Sequence, residues 1–211
     1  MGDRAADPVD CGDGVEGPRG PGEGVALGEA RGDGGGPLPA RRLGLLLGLA
    51  AAAWAGDLAT KQLALTHLAD DQPVRLLGGA VYLSLTRNSG AAFSLGGDHT
   101  WIFSIIASTA VCVLLWLAIR VRSTPWAVAL GLILGGVLGN LTDRIFRAPG
   151  AFHGHVVDMV SLFDPYGRLW PVFNVADSAL FCGVGLAVYL EFTGRTRDGG
   201  RRVDEPREAA A

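Results

Sequence analysis

The sequence predicts an all-α integral membrane protein with four transmembrane helices, a small extracytoplasmic sheet and both termini in the cytoplasm. Hydrophobic residues make up 49% of the chain, and they are concentrated in four segments of nearly membrane-spanning length. Arginine is unevenly divided among the connections between these segments. The first long connection places β-branched and aromatic residues at alternating positions, as a strand does. These three observations favour a polytopic membrane protein over a soluble domain.

The four apolar segments run approximately over residues 43–66, 100–119, 125–145 and 172–192. A hydrocarbon core of about 30 Å is crossed by roughly 20 residues of α-helix, and each segment approaches that length. The third segment carries Gly131, Gly135 and Gly139 at four-residue spacing. Glycines on one helix face let a neighbouring backbone approach closely, so this face is predicted to pack against another helix.

Arginine side chains give the predicted orientation, because cytoplasmic connections are enriched in Arg and Lys. The two ends of the apolar region and the short connection after the second segment are rich in arginine: Arg41, Arg42, Arg120, Arg122, Arg195, Arg197, Arg201 and Arg202. The longer connections, residues 67–99 and 146–171, hold fewer arginines over a greater length and are predicted to lie outside. In the first of them, the run AVYLSLT at residues 80–86 predicts a strand.

Residues 1–40 are predicted to be a disordered, acidic, cytoplasmic tail. They contain twelve glycines, five prolines, eight acidic and three basic side chains. Such a composition buries too little apolar surface to offset the entropy of ordering. The segment does not resemble a signal peptide, whose apolar stretch directly follows a short basic start. The predicted organisation is therefore this tail, a membrane domain over residues 41–194 and a polar cytoplasmic tail over residues 195–211.

The sequence argues against several other classes of protein. Beyond residue 40 the chain carries 15 basic and 13 acidic side chains, which is too balanced for a nucleic-acid-binding surface. Cys11, Cys112 and Cys182 have no CxxC spacing, and the last two are interpreted as small apolar residues inside helices. His153 and His155 lie in a glycine-rich connection without an HExxH motif, so no metal site is indicated. No serine lies in a GxSxG motif.

Ionisable residues inside apolar segments cost a few kcal/mol to insert, so each one needs a reason. Asp57 and Lys61 lie four residues apart near the outer end of the first segment. This spacing places them on one helix face, where they can pair. Two interpretations stay open at this point: a structural ion pair at the membrane interface, or part of a substrate site.

Further polar residues lie where the third segment ends, where the fourth begins and in the connection between them. They are Asn140, Asp143, Arg144, Asp158, Asn174 and Asp177, all predicted at one membrane depth. Two carboxylates held close cannot both ionise cheaply, so they share one proton. One then acts as a base toward water and the other as an acid toward a carbonyl oxygen. This is the chemistry of an aspartic protease.

Two alternatives come from other functional classes. A small transporter would use Asp57, Lys61, Asp143 and Asp177 to line a polar path. Such a path needs polar groups in both membrane halves, whereas these residues cluster at the outer ends of apolar segments. A membrane assembly protein would use the polar residues only to hold helices together. That function does not explain three aspartates at one depth.

Five motifs resemble, in order, those of the lipoprotein signal peptidases, also called signal peptidase II. They are DLATK at residues 57–61, RNSGAAFSL at 87–95, GGVLGNLTDRI at 135–145, HVVDM at 155–159 and FNVADS at 173–178. The resemblance covers most of residues 41–192. It implies four transmembrane helices, a small outer β-cradle made largely by the first long connection, and no metal or other cofactor.

The resemblance also implies an activity and a set of residues. The catalytic aspartates correspond to Asp158 and Asp177. The residues that support this pair or surround the substrate correspond to Asp57, Lys61, Asn88, Gly90, Asn140, Asp143, Arg144 and Asn174. The substrates would be bacterial prolipoproteins with diacylglyceryl on a cysteine, cleaved just before that cysteine at the outer face of the cell membrane. Sensitivity to the cyclic peptide globomycin is implied as well.

The remaining partners are expected to be membrane lipids, with no nucleic acid. Because a four-helix bundle can enclose such a site by itself, a monomer is expected. Three features depart from the family pattern: Met159 replaces the usual Phe, the connection at 147–153 is slightly longer, and the N-terminal tail is additional. Methionine adapts to irregular packing sites, and no motif residue is missing.

Overall fold

The structure is a computed structural model that describes residues 41–68, 72–90 and 100–201. The predicted N-terminal tail with Cys11, residues 91–95 of the RNSGAAFSL motif and residues 202–211 lie outside the described residues.

Four long α-helices form the membrane part of the chain. They are α1 (Leu43–His67), α2 (Thr100–Ala118), α3 (Thr124–Phe146) and α4 (Val175–Phe192), and each is long and apolar enough to cross a membrane. This confirms the four predicted spans. The fourth helix begins at Val175 rather than near residue 172, because Asn174 caps it through its side chain.

Helix α3 lies at the centre of the bundle, and its glycines set how closely the other helices approach. A Cβ atom at Gly135 would lie 2.7 Å from the backbone oxygen of Ala50 in α1. A Cβ atom at Gly136 would lie 2.5 Å from the backbone oxygen of Ala176 in α4. Neither distance leaves room for a side chain. The predicted packing role of the glycine face is therefore confirmed, and the neighbouring glycine extends it to α4.

The extramembrane part contains a three-stranded antiparallel sheet. Its strands are β1 (Val74–Leu76), β2 (Val81–Asn88) and β3 (Val156–Leu162), in the order β1-β2-β3. The first two strands come from the first long connection, and β2 contains most of the strand predicted at residues 80–86, whereas β1 was not predicted individually. The third strand was not predicted: it comes from the second connection and pairs Val157 with Arg87.

The sheet lies at the end of the bundle where α1 and α3 finish and α4 begins. Near the end of α1, Ala64 packs against Val157 and Met159 of β3. The backbone N–H of Val157 donates to the Asp143 Oδ2 atom near the end of α3, at 3.1 Å. Backbone hydrogen bonds between Val160 and Phe173 connect β3 to the residues that lead into α4. Strand β3 is therefore fixed to three of the four helices.

Candidate active site

Asp158 lies in the middle of β3 and is almost entirely buried, with 2% of its surface exposed. Both of its carboxylate oxygens accept hydrogen bonds from asparagine side chains. The Nδ2 atom of Asn174 lies 2.6 Å from Oδ1, and the Nδ2 atom of Asn88 lies 3.1 Å from Oδ2. The carboxylate is thus held in one orientation by two amide donors from different parts of the chain.

Asp177 lies in the first turn of α4, where a negative charge is favoured by the helix dipole. Its Oδ2 atom accepts from the backbone N–H of Asn174 at 3.2 Å, and its own backbone N–H donates to Asn174 Oδ1 at 2.9 Å. This reciprocal pair is a capping box. The other oxygen, Oδ1, accepts from Asn140 Nδ2 at 2.7 Å. Asp177 is therefore fixed by the local geometry of the helix start and by α3.

Asn174 links the two aspartates. Its amide nitrogen donates to Asp158, while its amide oxygen accepts from the backbone of Asp177. The same nitrogen lies 3.1 Å from the Oδ1 atom of Asn140. Since Asn174 is completely buried, one ordered side chain sets the position of both carboxylates relative to each other.

The surroundings of Asp158 raise the pKa of its carboxyl from 3.8 to about 7. Burial is the main cause, and the negative charge of Asp177 acts in the same direction. The hydrogen bonds from Asn88 and Asn174 and the positive charge of Lys61 favour the ionised form and oppose this rise. A carboxyl with this pKa keeps its proton in part of the molecules at neutral pH. The pair can therefore hold one acid and one base together.

A buried ion cluster lies beneath the pair. Lys61 has no exposed surface, and its Nζ atom lies 2.7 Å from Asp57 Oδ2, 2.7 Å from Asp143 Oδ2 and 3.1 Å from Asn140 Oδ1. The ammonium group is therefore surrounded by three side-chain oxygen atoms, two of them from carboxylates. Asp57 also accepts from the backbone N–H of Ala176 at 2.8 Å. The cluster therefore ties α1, α3 and the first turn of α4 together behind the aspartates.

This arrangement bears on the two interpretations of Asp57 and Lys61. The i, i+4 pairing is present, and both side chains have 0% exposure, so the pair is buried inside the bundle. Neither side chain has surface that a substrate could touch. The geometry therefore favours a supporting role, in which Lys61 orients Asn140 and Asn140 orients Asp177.

Gly90 and Arg144 both lie against the ring of Phe103, a residue that was not predicted to be part of the site. The φ angle of Gly90 is +101°, and a Cβ atom there would lie 2.5 Å from the Phe103 ring. The Arg144 guanidinium lies 5.0 Å from the centroid of the same ring. The backbone N–H of Gly90 donates to Asn88 Oδ1 at 2.8 Å, which directs the Asn88 amide toward Asp158. Only glycine tolerates this backbone conformation beside an aromatic ring.

Two apolar cavities lie along β3 and the start of α4. One, of about 460 Å³, is bounded by α1, β2, β3 and the start of α4, and it includes Met159. The other, of about 300 Å³, reaches Asp177 itself and is lined by Trp170, Phe173 and Phe181 among others. Within residues 41–68, 72–90 and 100–201, no three His, Cys, Asp or Glu side chains are grouped so that they could hold a metal ion.

Known proteins resemble this chain over most of its length. The family model described as signal peptidase (SPase) II matches residues 49–193. The chain belongs to the signal peptidase II family. Signal peptidase II is a protease, and the four apolar helices make this member a multi-pass membrane protein. The resemblance drawn from the five motifs is confirmed.

Relatives and solved structures agree with this family. A lipoprotein signal peptidase of Mycobacterium avium (strain 104) is 47% identical over 173 residues, covering 81% of this chain and 92% of the relative. A lipoprotein signal peptidase of Mycolicibacterium smegmatis is 45% identical and covers 91% of this chain and 80% of the relative. A bacterial membrane enzyme solved by the in meso method at 1.9 Å has a TM-score of 0.63 and 26% identity, covering 73% of this chain and 96% of that one.

Proposed function

We propose that this signal peptidase II is an aspartic endopeptidase that removes signal peptides from diacylglyceryl-modified bacterial prolipoproteins, cleaving just before the lipidated cysteine. Asp158 and Asp177 are the proposed catalytic residues. The observation that carries the proposal is the link through Asn174, which holds both carboxylates while burial keeps the pKa of Asp158 near 7. The names of the relatives support the substrate class.

In the proposed reaction the protonated carboxyl is Asp158 and the ionised carboxylate is Asp177. Asp177 removes a proton from a water molecule as the water oxygen attacks the carbonyl carbon of the scissile bond. Asp158 donates its proton to the carbonyl oxygen, so a neutral tetrahedral diol forms. The diol then collapses: one hydroxyl proton returns to Asp158, the proton on Asp177 passes to the leaving amine, and the C–N bond breaks. The pair ends with its original single proton.

The supporting residues have distinct proposed tasks. Asn140, Asn174 and Asn88 orient the two carboxylates, and the cluster of Asp57, Lys61 and Asp143 holds these asparagines and the helix ends in place. Gly90 and Arg144 border the substrate, on the side of the Phe103 ring. The two apolar cavities provide surface for an acyl chain and for apolar residues of the signal peptide.

The proposed location is the bacterial inner or plasma membrane, with the active site at the extracytoplasmic face. The arginines at the opposite end of the bundle support this orientation. The proposed organisation keeps the acidic tail over residues 1–40, the peptidase domain over 41–194 and the polar tail over 195–211, with the enzyme acting as a monomer among membrane lipids. A transporter is disfavoured because, among the described residues, the buried charged side chains all lie at the aspartate end of the bundle.

The test is cleavage of a diacylglyceryl-modified prolipoprotein peptide by the purified full-length chain in detergent with EDTA present. Asp158→Asn and Asp177→Asn each remove one carboxylate and are expected to abolish cleavage. Asp198→Asn is the matched control, because Asp198 is exposed beyond α4 and far along the bundle from the pair. Cleavage by either active-site variant at the rate of the control would refute the aspartic pair. Loss of wild-type cleavage in EDTA, with recovery when a divalent metal is added in excess, would refute a metal-free mechanism.

A further inference from the structure

A third cavity lies at the end of the bundle opposite to the aspartate pair. Its volume is about 600 Å³, and it forms where the connection before α3, the end of α4 and the segment that follows α4 meet. The site residues discussed above are all absent from its lining. It is therefore a separate feature of the fold, with its own chemistry.

The segment after α4 is folded against the bundle and forms one wall of this cavity. Arg195 and Arg201 are paired in an antiparallel bridge. The backbone N–H groups of Arg122 and Ser123 donate to the backbone oxygen of Arg197 at 3.0 and 2.9 Å. The indole Nε1 of the buried Trp126 donates to the backbone oxygen of Arg195 at 2.8 Å. These bonds use backbone atoms of the segment and not the guanidinium groups of Arg195 and Arg201.

The lining of the cavity is basic. Arg195 and Arg201 of the folded segment both line it, and no acidic side chain of the described residues does. A guanidinium matches the geometry of phosphate oxygens and donates two hydrogen bonds to them at once. The two arginines of this segment on one concave surface therefore favour a phosphate over a neutral ligand.

Ser123 adds a hydroxyl group to the same surface. It lines the cavity, is only 8% exposed, and precedes the first turn of α3 without making a capping hydrogen bond through its side chain. The N–H groups of a helix start carry partial positive charge, and a Ser at this position normally satisfies one of them. Here the Ser123 hydroxyl is available to an anionic oxygen instead.

We propose that this cavity binds the phosphate of an anionic membrane phospholipid. Tyr189 lines the cavity, and Phe192 lies about one turn further along α4; they are 62% and 88% exposed. A soluble phosphate would leave this apolar surface in water, whereas a phospholipid covers it with its acyl chains. The lipid would join the start of α3, the end of α4 and the folded segment at the inner end of the bundle.

The test is titration of the full-length protein in neutral detergent with phosphatidylglycerol, phosphatidylcholine or glycerol 3-phosphate, followed by native mass spectrometry. The double variant Arg195→Gln and Arg201→Gln keeps the backbone hydrogen bonds and removes two guanidinium groups. We expect phosphatidylglycerol to bind the wild type and to bind this variant about tenfold or more weakly. The single variant Arg201→Gln should show an intermediate loss, which separates lost binding from lost folding.

The control variant, Arg87→Gln and Arg168→Gln, removes the same charge at the opposite end of the molecule, where both side chains are exposed. It should bind phosphatidylglycerol as the wild type does. Equal loss in both double variants would overturn a local site. Equal binding of phosphatidylcholine would overturn selection for an anionic lipid, and equal affinity for glycerol 3-phosphate would overturn the lipid as the source of the phosphate. None of these results depends on peptide cleavage.

Discussion

Asn174 combines two tasks that substitution can separate. Asn174→Ser keeps an oxygen that can cap α4 but removes the amide that donates to Asp158; Asn174→Ala removes both. Loss of a cap costs about 1 kcal/mol of unfolding free energy, so the Ala variant should unfold at a lower temperature than the Ser variant. Loss of a hydrogen bond to a charged group costs about 1.5–3 kcal/mol. If that bond orients the pair in the transition state, kcat should fall about 10- to 150-fold in both variants.

The pH dependence of cleavage gives an independent measure of the same bond. The hydrogen bond from Asn174 favours ionised Asp158 and so holds its pKa down, although burial keeps that pKa at about 7. Because the pair needs its shared proton, activity of the wild type should fall as pH rises through about 7. Removing the Asn174 amide raises the pKa further, so this fall should move to higher pH in both variants.

The assay is kcat and KM for a lipidated peptide across pH, with thermal unfolding of the same preparations. Wild-type kcat in Asn174→Ser would refute the proposed role of the amide. A loss of kcat in Asn174→Ala alone, in step with its lower unfolding temperature, would show that the cap and not the hydrogen bond to Asp158 controls activity.

Three further predictions concern the bundle and the inhibitor. Lys61→Met removes the cation that pairs with the buried Asp57, while Asp143 keeps its ion pair with Arg147. The variant should lose about 3–5 kcal/mol of stability in thermal unfolding, whereas the exposed-site control Arg168→Gln should lose little; equal effects would contradict the buried cluster. Gly135→Ala places a methyl group against an α1 carbonyl oxygen and should lower the free energy of unfolding by about 1–3 kcal/mol. Its control, Gly185→Ala, has open space around the new methyl group and should not destabilise the protein. Equal unfolding temperatures for the two variants would contradict the close approach of α1 and α3. Globomycin should inhibit cleavage by the wild type, and full activity in excess inhibitor would contradict the proposed substrate site.

Local features of this fold could be predicted from the sequence, whereas contacts between distant segments could not. The four spans and the glycine face of α3 follow from composition and local spacing, and the structure has both. The pairing of Asp57 with Lys61 follows from their positions on one helix. The third partner, Asp143, does not follow, because the relative register of α1 and α3 is set by packing between distant segments.

Two other features escaped prediction for similar reasons. The third strand, VVDMVSL at Val156–Leu162, is apolar at most positions and lacks a clear alternation, so its period does not distinguish it from other buried segments. Phe103 sits in an apolar helix with no polar motif near it in sequence. Only the folded chain brings its ring against Gly90 and beneath Arg144.

The position of the aspartates along the chain has a consequence for biosynthesis. Both follow α3, one on β3 and the other in the first turn of α4, and the asparagine that joins them is the cap of that last helix. A nascent chain that has inserted only its first three helices lacks both of the proposed catalytic aspartates. In a chain whose last helix has not yet formed its first turn, Asn174 does not yet hold the two aspartates in their relative positions. We expect hydrolytic competence to arise only when insertion is complete, so that partly assembled molecules are harmless to neighbouring membrane proteins without needing a removable propeptide.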